Sequence, residues 1–221
     1  MNFFNKKIDK IDTVFIHIGK CGGSSVIEEL KRKDIKFIEK HVGKVKFRKN
    51  KKYYIVIRNP ISRFVSAFDW RYKLVVEDGV QKDRFQGEKA ILEKYKTVNS
   101  LAENIYNEAG DLILNFKSDD FYIHHIKEDI DFYLGDLLKK CKKEAIIAVL
   151  ATETLSEDIK QHFDINLTSH LKKNKKKNEL SSLALNNLIK YLEKDFDCIE
   201  RLNDMDLLTE IQYEKLSNKT F

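Results

Sequence analysis

Three short runs rich in β-branched and aromatic residues, TVFIHI at 13–18, YYIVI at 53–57 and AIIAVLA at 145–151, constrain this chain most. Each ends in a turn and gives way to residues spaced for a helix, and a shorter run, IKFIE at 35–39, predicts a further strand. Strands that alternate with helices pair in parallel, and right-handed crossovers then cover both faces of the sheet. The expected fold is α/β, in three layers, with a central, mainly parallel sheet flanked by helices. With 221 residues, 42% hydrophobic and 34% charged, the chain has enough apolar side chains to fold as a single domain over 1–221. Residues 76–140 read as a helical insertion.

Open parallel sheets bind ligands beyond the carboxyl ends of their strands. Three features fall at that edge: the glycine turn GKCGGSS at 19–25, His41 after the second strand, and Arg58 after the third. Behind the glycines, Ser24 or Ser25 is placed to cap a helix whose apolar face holds Val26, Ile27 and Leu30. A glycine turn entering a helix offers free N–H groups and the positive end of the helix dipole, which attract phosphate. The ATP-binding pattern G-x-x-x-x-G-K-[ST] is not met, because Lys20 precedes Gly22 and Gly23. Alone, the stretch reads either as an unusual phosphate cradle or as a tight connection. Arg58 and, eight residues later, Ser66 supply a charged and a neutral donor for a second phosphate. They belong to a segment in which Pro60, the single proline, precedes a helix with Ile61, Phe64, Val65, Phe68 and Tyr72 on one face.

The rest is less distinct. Residues 88–109 and 119–140 are mostly helical in composition, with breaks expected around Gly110 and Gly135. A helix is expected from Ser156, then a basic loop over 170–178, then one long helix through Leu185, Leu188, Leu192, Phe196 and Ile199. Cys21, Cys141 and Cys198 are odd in number and far apart, which fits neither a disulfide framework nor a zinc site and suggests a reducing compartment. No signal peptide or membrane-spanning run is evident, so a cytoplasmic location is expected. A net charge of +6 suits anionic ligands without naming one.

FIHIGKCGGSS (15–25) and IVIRNPISRFVSAF (55–68) resemble the 5′-phosphosulfate loop and the 3′-phosphate motif of sulfotransferases that use 3′-phosphoadenosine-5′-phosphosulfate. The likeness is greatest to glycan sulfotransferases of the heparan 2-O type and their small bacterial relatives. ATETLSEDIKQHF and the basic loop with its following helix resemble segments of the same group, and the likeness is thinnest over 76–140. It implies a P-loop-like fold, the phosphosulfate nucleotide as co-substrate, no metal, and a hydroxyl acceptor on a carbohydrate. It implies that Lys20 grips the 5′-phosphosulfate, that Cys21, Gly22, Gly23, Ser24 and Ser25 form the loop around it, and that Arg58 and Ser66 bind the 3′-phosphate. Cys21 stands where Thr is common, and Asn59 where Asp is usual.

Sulfuryl transfer needs an in-line nucleophile, a base and cations on the developing charge. Lys20 suits the cation role. His41 is the first candidate for the base, with His124 and His125 as rivals that adjacent positions on a helix would point apart. His17, inside a strand, reads as a hydrogen-bonded core or near-site residue. Arg63 and Arg71 are candidates to face an anionic acceptor, as is the tract from Lys172 to Lys177, and Trp70 and Phe68 are candidates to stack on a sugar or adenine, with core packing favoured for Phe68. Two other readings stay open: a nucleotide kinase or NTPase with an atypical loop, and a non-catalytic basic module binding nucleic acid, for which no motif is visible.

Overall fold

The computed structural model of the chain describes residues 12–118, 122–166 and 178–221. The tract from Lys172 to Lys177 lies outside them. Four strands, β1 (Thr13–His17), β2 (Ile38–Lys40), β3 (Lys52–Ile57) and β4 (Ile146–Ala151), form a parallel sheet in the order β2-β1-β3-β4. Phe15, Ile16, Ile55, Val56, Val149 and Leu150 are all buried at its centre. Their near-continuous apolar runs follow from burial on both faces, which removes the alternation of a one-sided sheet. From β1 the chain goes outward to β2 and then returns across β1 to β3, so the switch in direction lies between β1 and β3. That is where a doubly wound sheet opens its crevice.

Helix α1 (Gly23–Arg32) follows β1, and α2 (Pro60–Tyr72) follows β3. α1 buries Val26, Ile27 and Leu30, as its spacing predicts. Its N-cap is Gly22, at φ 77°, with no capping side chain, and this corrects the expectation of Ser24 or Ser25 there. β2 is shorter and begins later than IKFIE suggests, although Ile35 and Phe37 still pack against the core.

The insertion holds α3 (Glu88–Tyr95), α4 (Val98–Glu103) and α5 (Ile130–Leu138), but residues 104–118 and 122–129 are mainly turns, not helix. Gly110, at φ 83°, reverses the chain so that Tyr106 and Leu112 pair as an antiparallel bridge. Gly135 does not break its helix. It lies inside α5 because the Asp131 carboxylate, one turn back, occupies the space a Cβ would take.

After β4 comes α6 (Leu155–Phe163). The expected single long helix is two, α7 (Ser182–Tyr191) and α8 (Glu193–Asp204), which part at Leu192. Leu188, Leu192, Phe196 and Ile199 all stay buried across the break, so the apolar spacing alone does not reveal it. α9 (Glu210–Ser217) was not expected from periodicity, since only Gln212 and Leu216 are buried in it. Its signal was the capping box of Thr209 and Gln212. α5 packs on α8 and α4 on α7, while Phe64 of α2 meets Phe116 and Tyr191 edge-on and so joins the sheet to this helical part. No helix among the described residues is long and apolar enough to cross a membrane.

Candidate active site

The turn after β1 curls through two left-handed residues, Lys20 at φ 72° and Gly22 at φ 77°. The Cys21 amide donates to the Ile18 carbonyl at 3.3 Å, and Thr152 Oγ1 lies 2.8 Å from the Cys21 carbonyl and 3.0 Å from that of Ile57. The loop is thereby tied to the ends of β3 and β4. Cys21 is fully buried, and burial pushes its thiol up to about 12, so it remains a neutral packing group and not a nucleophile. Ser24 is exposed and Ser25 half-buried at the start of α1, whose first N–H groups meet no capping side chain. Uncapped N–H groups at a helix start are the kind that can receive an anion.

Lys20 rises from this turn. Burial, then the charge of Arg58, pulls its amine down to about 8, and its Nζ sits 4.5 Å over the ring of Trp70, which is partly exposed. Phe68 is buried and stacks on Tyr72. Arg58 leaves the end of β3 with Nη1 3.4 Å from the Lys20 carbonyl, and its Nε is buried with no hydrogen-bond partner among the described residues. Two cations therefore meet at the crevice between β1 and β3. Ser66 is half-buried on α2.

Asn59 explains its own departure from aspartate. Its Oδ1 caps α2 by accepting from the Ser62 amide at 3.0 Å, which a carboxylate would do equally well. Its Nδ2, however, donates to the carbonyls of Asn218 at 2.7 Å and Leu216 at 3.1 Å. Only an amide can satisfy both ends. The nearby carboxylate is that of Glu153, which accepts from the Asn59 amide at 3.1 Å; burial pushes this carboxyl up, and the Asn59 hydrogen bond and the charge of Arg58 pull it back.

His41 Nδ1 lies 2.9 Å from the His17 carbonyl. A carbonyl only accepts, so Nδ1 carries a proton, and in the neutral ring Nε2 is left with the lone pair. The rings of His17 and His41 stack at 4.1 Å, and His17 donates from Nδ1 to Glu39 at 3.1 Å. The ring of His125 stands 6.5 Å from that of His41, and the ring of His124 stands 4.0 Å from that of His125. His124 and His125 are in a turn, not a helix, with His125 at φ 67°, so their rings lie together instead of pointing apart. The candidate bases from two distant segments thus form one row. Gly19 and Gly23 make room for it: a Cβ on Gly19 would come within 2.5 Å of His125 Nδ1, and one on Gly23 would enter the ring of His17.

Arg63 and Arg71 do not face an acceptor; each is about 1% exposed. Arg63 donates from Nε to the Gly19 carbonyl at 3.0 Å and from Nη2 to the His125 carbonyl at 2.8 Å and to that of Glu128. Arg71 grips Glu88 with Nε and Nη2 at 2.9 and 2.6 Å, and Glu88 Oε1 also accepts from the His124 amide at 2.8 Å. Both arginines therefore hold the histidine-bearing turn over the glycine loop. A sign of this was their position on α2, eight residues apart and next to the apolar stripe, where a free charge would not be tolerated.

The Sulfotransferase family matches the chain over residues 9–197. No curated protein and no solved structure matches it. The family match spans the glycine loop, both cations, the histidine row and the sheet that carries them, and this chain belongs to the sulfotransferase family.

Proposed function

We propose that this protein transfers a sulfuryl group from 3′-phosphoadenosine-5′-phosphosulfate to a hydroxyl of a carbohydrate. The observation that carries the proposal is the meeting of Lys20, Arg58 and the uncapped end of α1 at one crevice. The residues fit that nucleotide: the α1 end and Lys20 offer one anion site, and the unpartnered buried Nε of Arg58 offers a donor for a 3′-phosphate, which ATP lacks. When bound, the nucleotide supplies an activated sulfuryl group with a bisphosphate leaving group.

In this reading Lys20 neutralises charge on the 5′ side, aided by Gly22, Gly23, Ser24 and Ser25. Cys21 closes the turn, because its amide is already engaged by Ile18. Arg58 and Ser66 hold the 3′-phosphate. His41 takes the acceptor proton at Nε2, since its Nδ1 proton is committed to the His17 carbonyl, which fixes both tautomer and ring orientation. Trp70, exposed beside Lys20, is a stacking surface for a sugar or a base.

The test compares thermal stabilisation by 3′,5′-adenosine bisphosphate with that by ADP and AMP. A selective shift by the 3′-phosphorylated nucleotide, lost in Arg58→Ala, is expected. Equal shifts by all three would overturn the donor assignment. His41→Ala should retain the shift while abolishing bisphosphate release in a turnover assay, and wild-type turnover in that variant would remove His41 as the base.

A further inference from the structure

The chain places potential metal ligands in a segment whose sequence spacing gives no sign of them. In the turn that follows residue 121, the rings of His124 and His125 and the carboxylate of Glu128 each offer one ligand atom, and these atoms all lie within 4.8 Å of one another. His124 Nε2 stands 3.5 Å from Glu128 Oε2. That exceeds the usual length of an N–H···O hydrogen bond, about 2.9–3.0 Å. It is close to the roughly 3.3 Å that separates two ligands of a tetrahedral zinc ion with bonds of about 2.0–2.1 Å. Nδ1 of His125 is buried without a hydrogen-bond partner among the described residues. Buried polar atoms are otherwise paired, and a bound cation is one remedy for such an orphan.

We propose that His124, His125 and Glu128 form a binding site for a divalent ion of the zinc class, with water or another small ligand in the fourth position. The backbone is already held for it. Glu88 fixes the His124 amide, Arg63 fixes the carbonyls of His125 and Glu128, and His125 takes a left-handed conformation that brings both rings to one side. Two histidines and one carboxylate are a common open set for zinc. The charges of Arg63 and Lys20 oppose a cation, so the ion is expected to be exchangeable, held less tightly than in a closed four-ligand site. It would lie beside the row that ends in His41, yet the site does not depend on which donor or acceptor the protein uses.

The full chain, freed of metal with a chelator, would be titrated with Co²⁺ and its visible absorption followed, then challenged with Zn²⁺. A saturable tetrahedral cobalt spectrum that zinc displaces is expected. His124→Ala and Glu128→Gln should each weaken cobalt binding by roughly tenfold or more. His162→Ala, which removes an exposed histidine on α6, should leave it unchanged. Glu128→Gln keeps the side-chain shape and decides the matter if His124→Ala fails to fold. Absence of a saturable spectrum, or a spectrum that survives both variants, would leave His124 and Glu128 as an ion pair only and overturn the proposal.

Discussion

Replacing Asn59 by aspartate restores the residue usual in similar sulfotransferases and should nonetheless destabilise this protein. Asn59 is 5% exposed, so its surroundings cannot be relieved by water. A carboxylate would keep the cap on the Ser62 amide, and a negative charge at the start of α2 gains about 0.3–1 kcal/mol. It would lose both donated hydrogen bonds, to Leu216 and Asn218, and set a lone pair against their carbonyls. Each acceptor left unmet costs about 1–3 kcal/mol. The net loss is about 1–6 kcal/mol, or roughly 2–24 °C in Tm for a chain of this size. The sign of the pH dependence follows. Burial and the facing carbonyls raise the introduced carboxyl above its unfolded value of about 3.9, and its protonated form can donate one hydrogen bond. The deficit should therefore be smallest below about pH 4 and grow as pH rises through the raised folded value. Urea unfolding of wild type and Asn59→Asp at pH 4 and pH 7 measures this. Equal stability at pH 7, or a deficit independent of pH, would refute the reasoning.

Lys20 titrates near 8 in the free protein, so affinity for 3′,5′-adenosine bisphosphate should be level below that pH and fall by up to about tenfold per unit above it. Calorimetric titration from pH 7 to 9.5 checks this, and Lys20→Arg should remove the slope. Gly19→Ala forces the His125 ring away from a Cβ that would sit 2.5 Å from Nδ1, at a cost of about 1–3 kcal/mol, and should shift the His125 resonances in an NMR spectrum. Arg71→Met leaves Glu88 buried without its guanidinium and should cost about 3–5 kcal/mol. Arg71→Met combined with Glu88→Leu should recover most of that loss in a thermal melt but not all, because the His124 amide also uses Glu88.

The sheet and its glycine loop were legible because parallel strands buried on both faces carry unbroken apolar runs, and a loop that presents its backbone to an anion needs glycine. The cations at the crevice were legible for a related reason: Arg58 directly follows β3 and Lys20 lies in the short turn after β1, so the strand assignments place them. The turns of 104–118 and 122–129 were not. The shape of 122–129 is set by guanidinium groups on α2 that bond to backbone carbonyls or, through Glu88, to a backbone amide far along the chain, and such bonds leave no local periodicity. For the same reason His124 and His125 read as residues of a helix, and their approach to His41 was not visible. The partner of Asn59 lies at the far end of the chain, so its departure from aspartate had no local explanation.

Arg63 limits how far the segment after α2 can diverge in sequence. One buried guanidinium is shared between the glycine loop, through Gly19, and the turn that carries His125 and Glu128. A foreign segment grafted over 76–140 would have to bring two carbonyls to the same points, or leave a buried cation with half its donors unmet. Residues 122–129 and the glycine loop therefore have to change together, whereas the turn of 104–118 carries no bond to Arg63 and is free of that constraint.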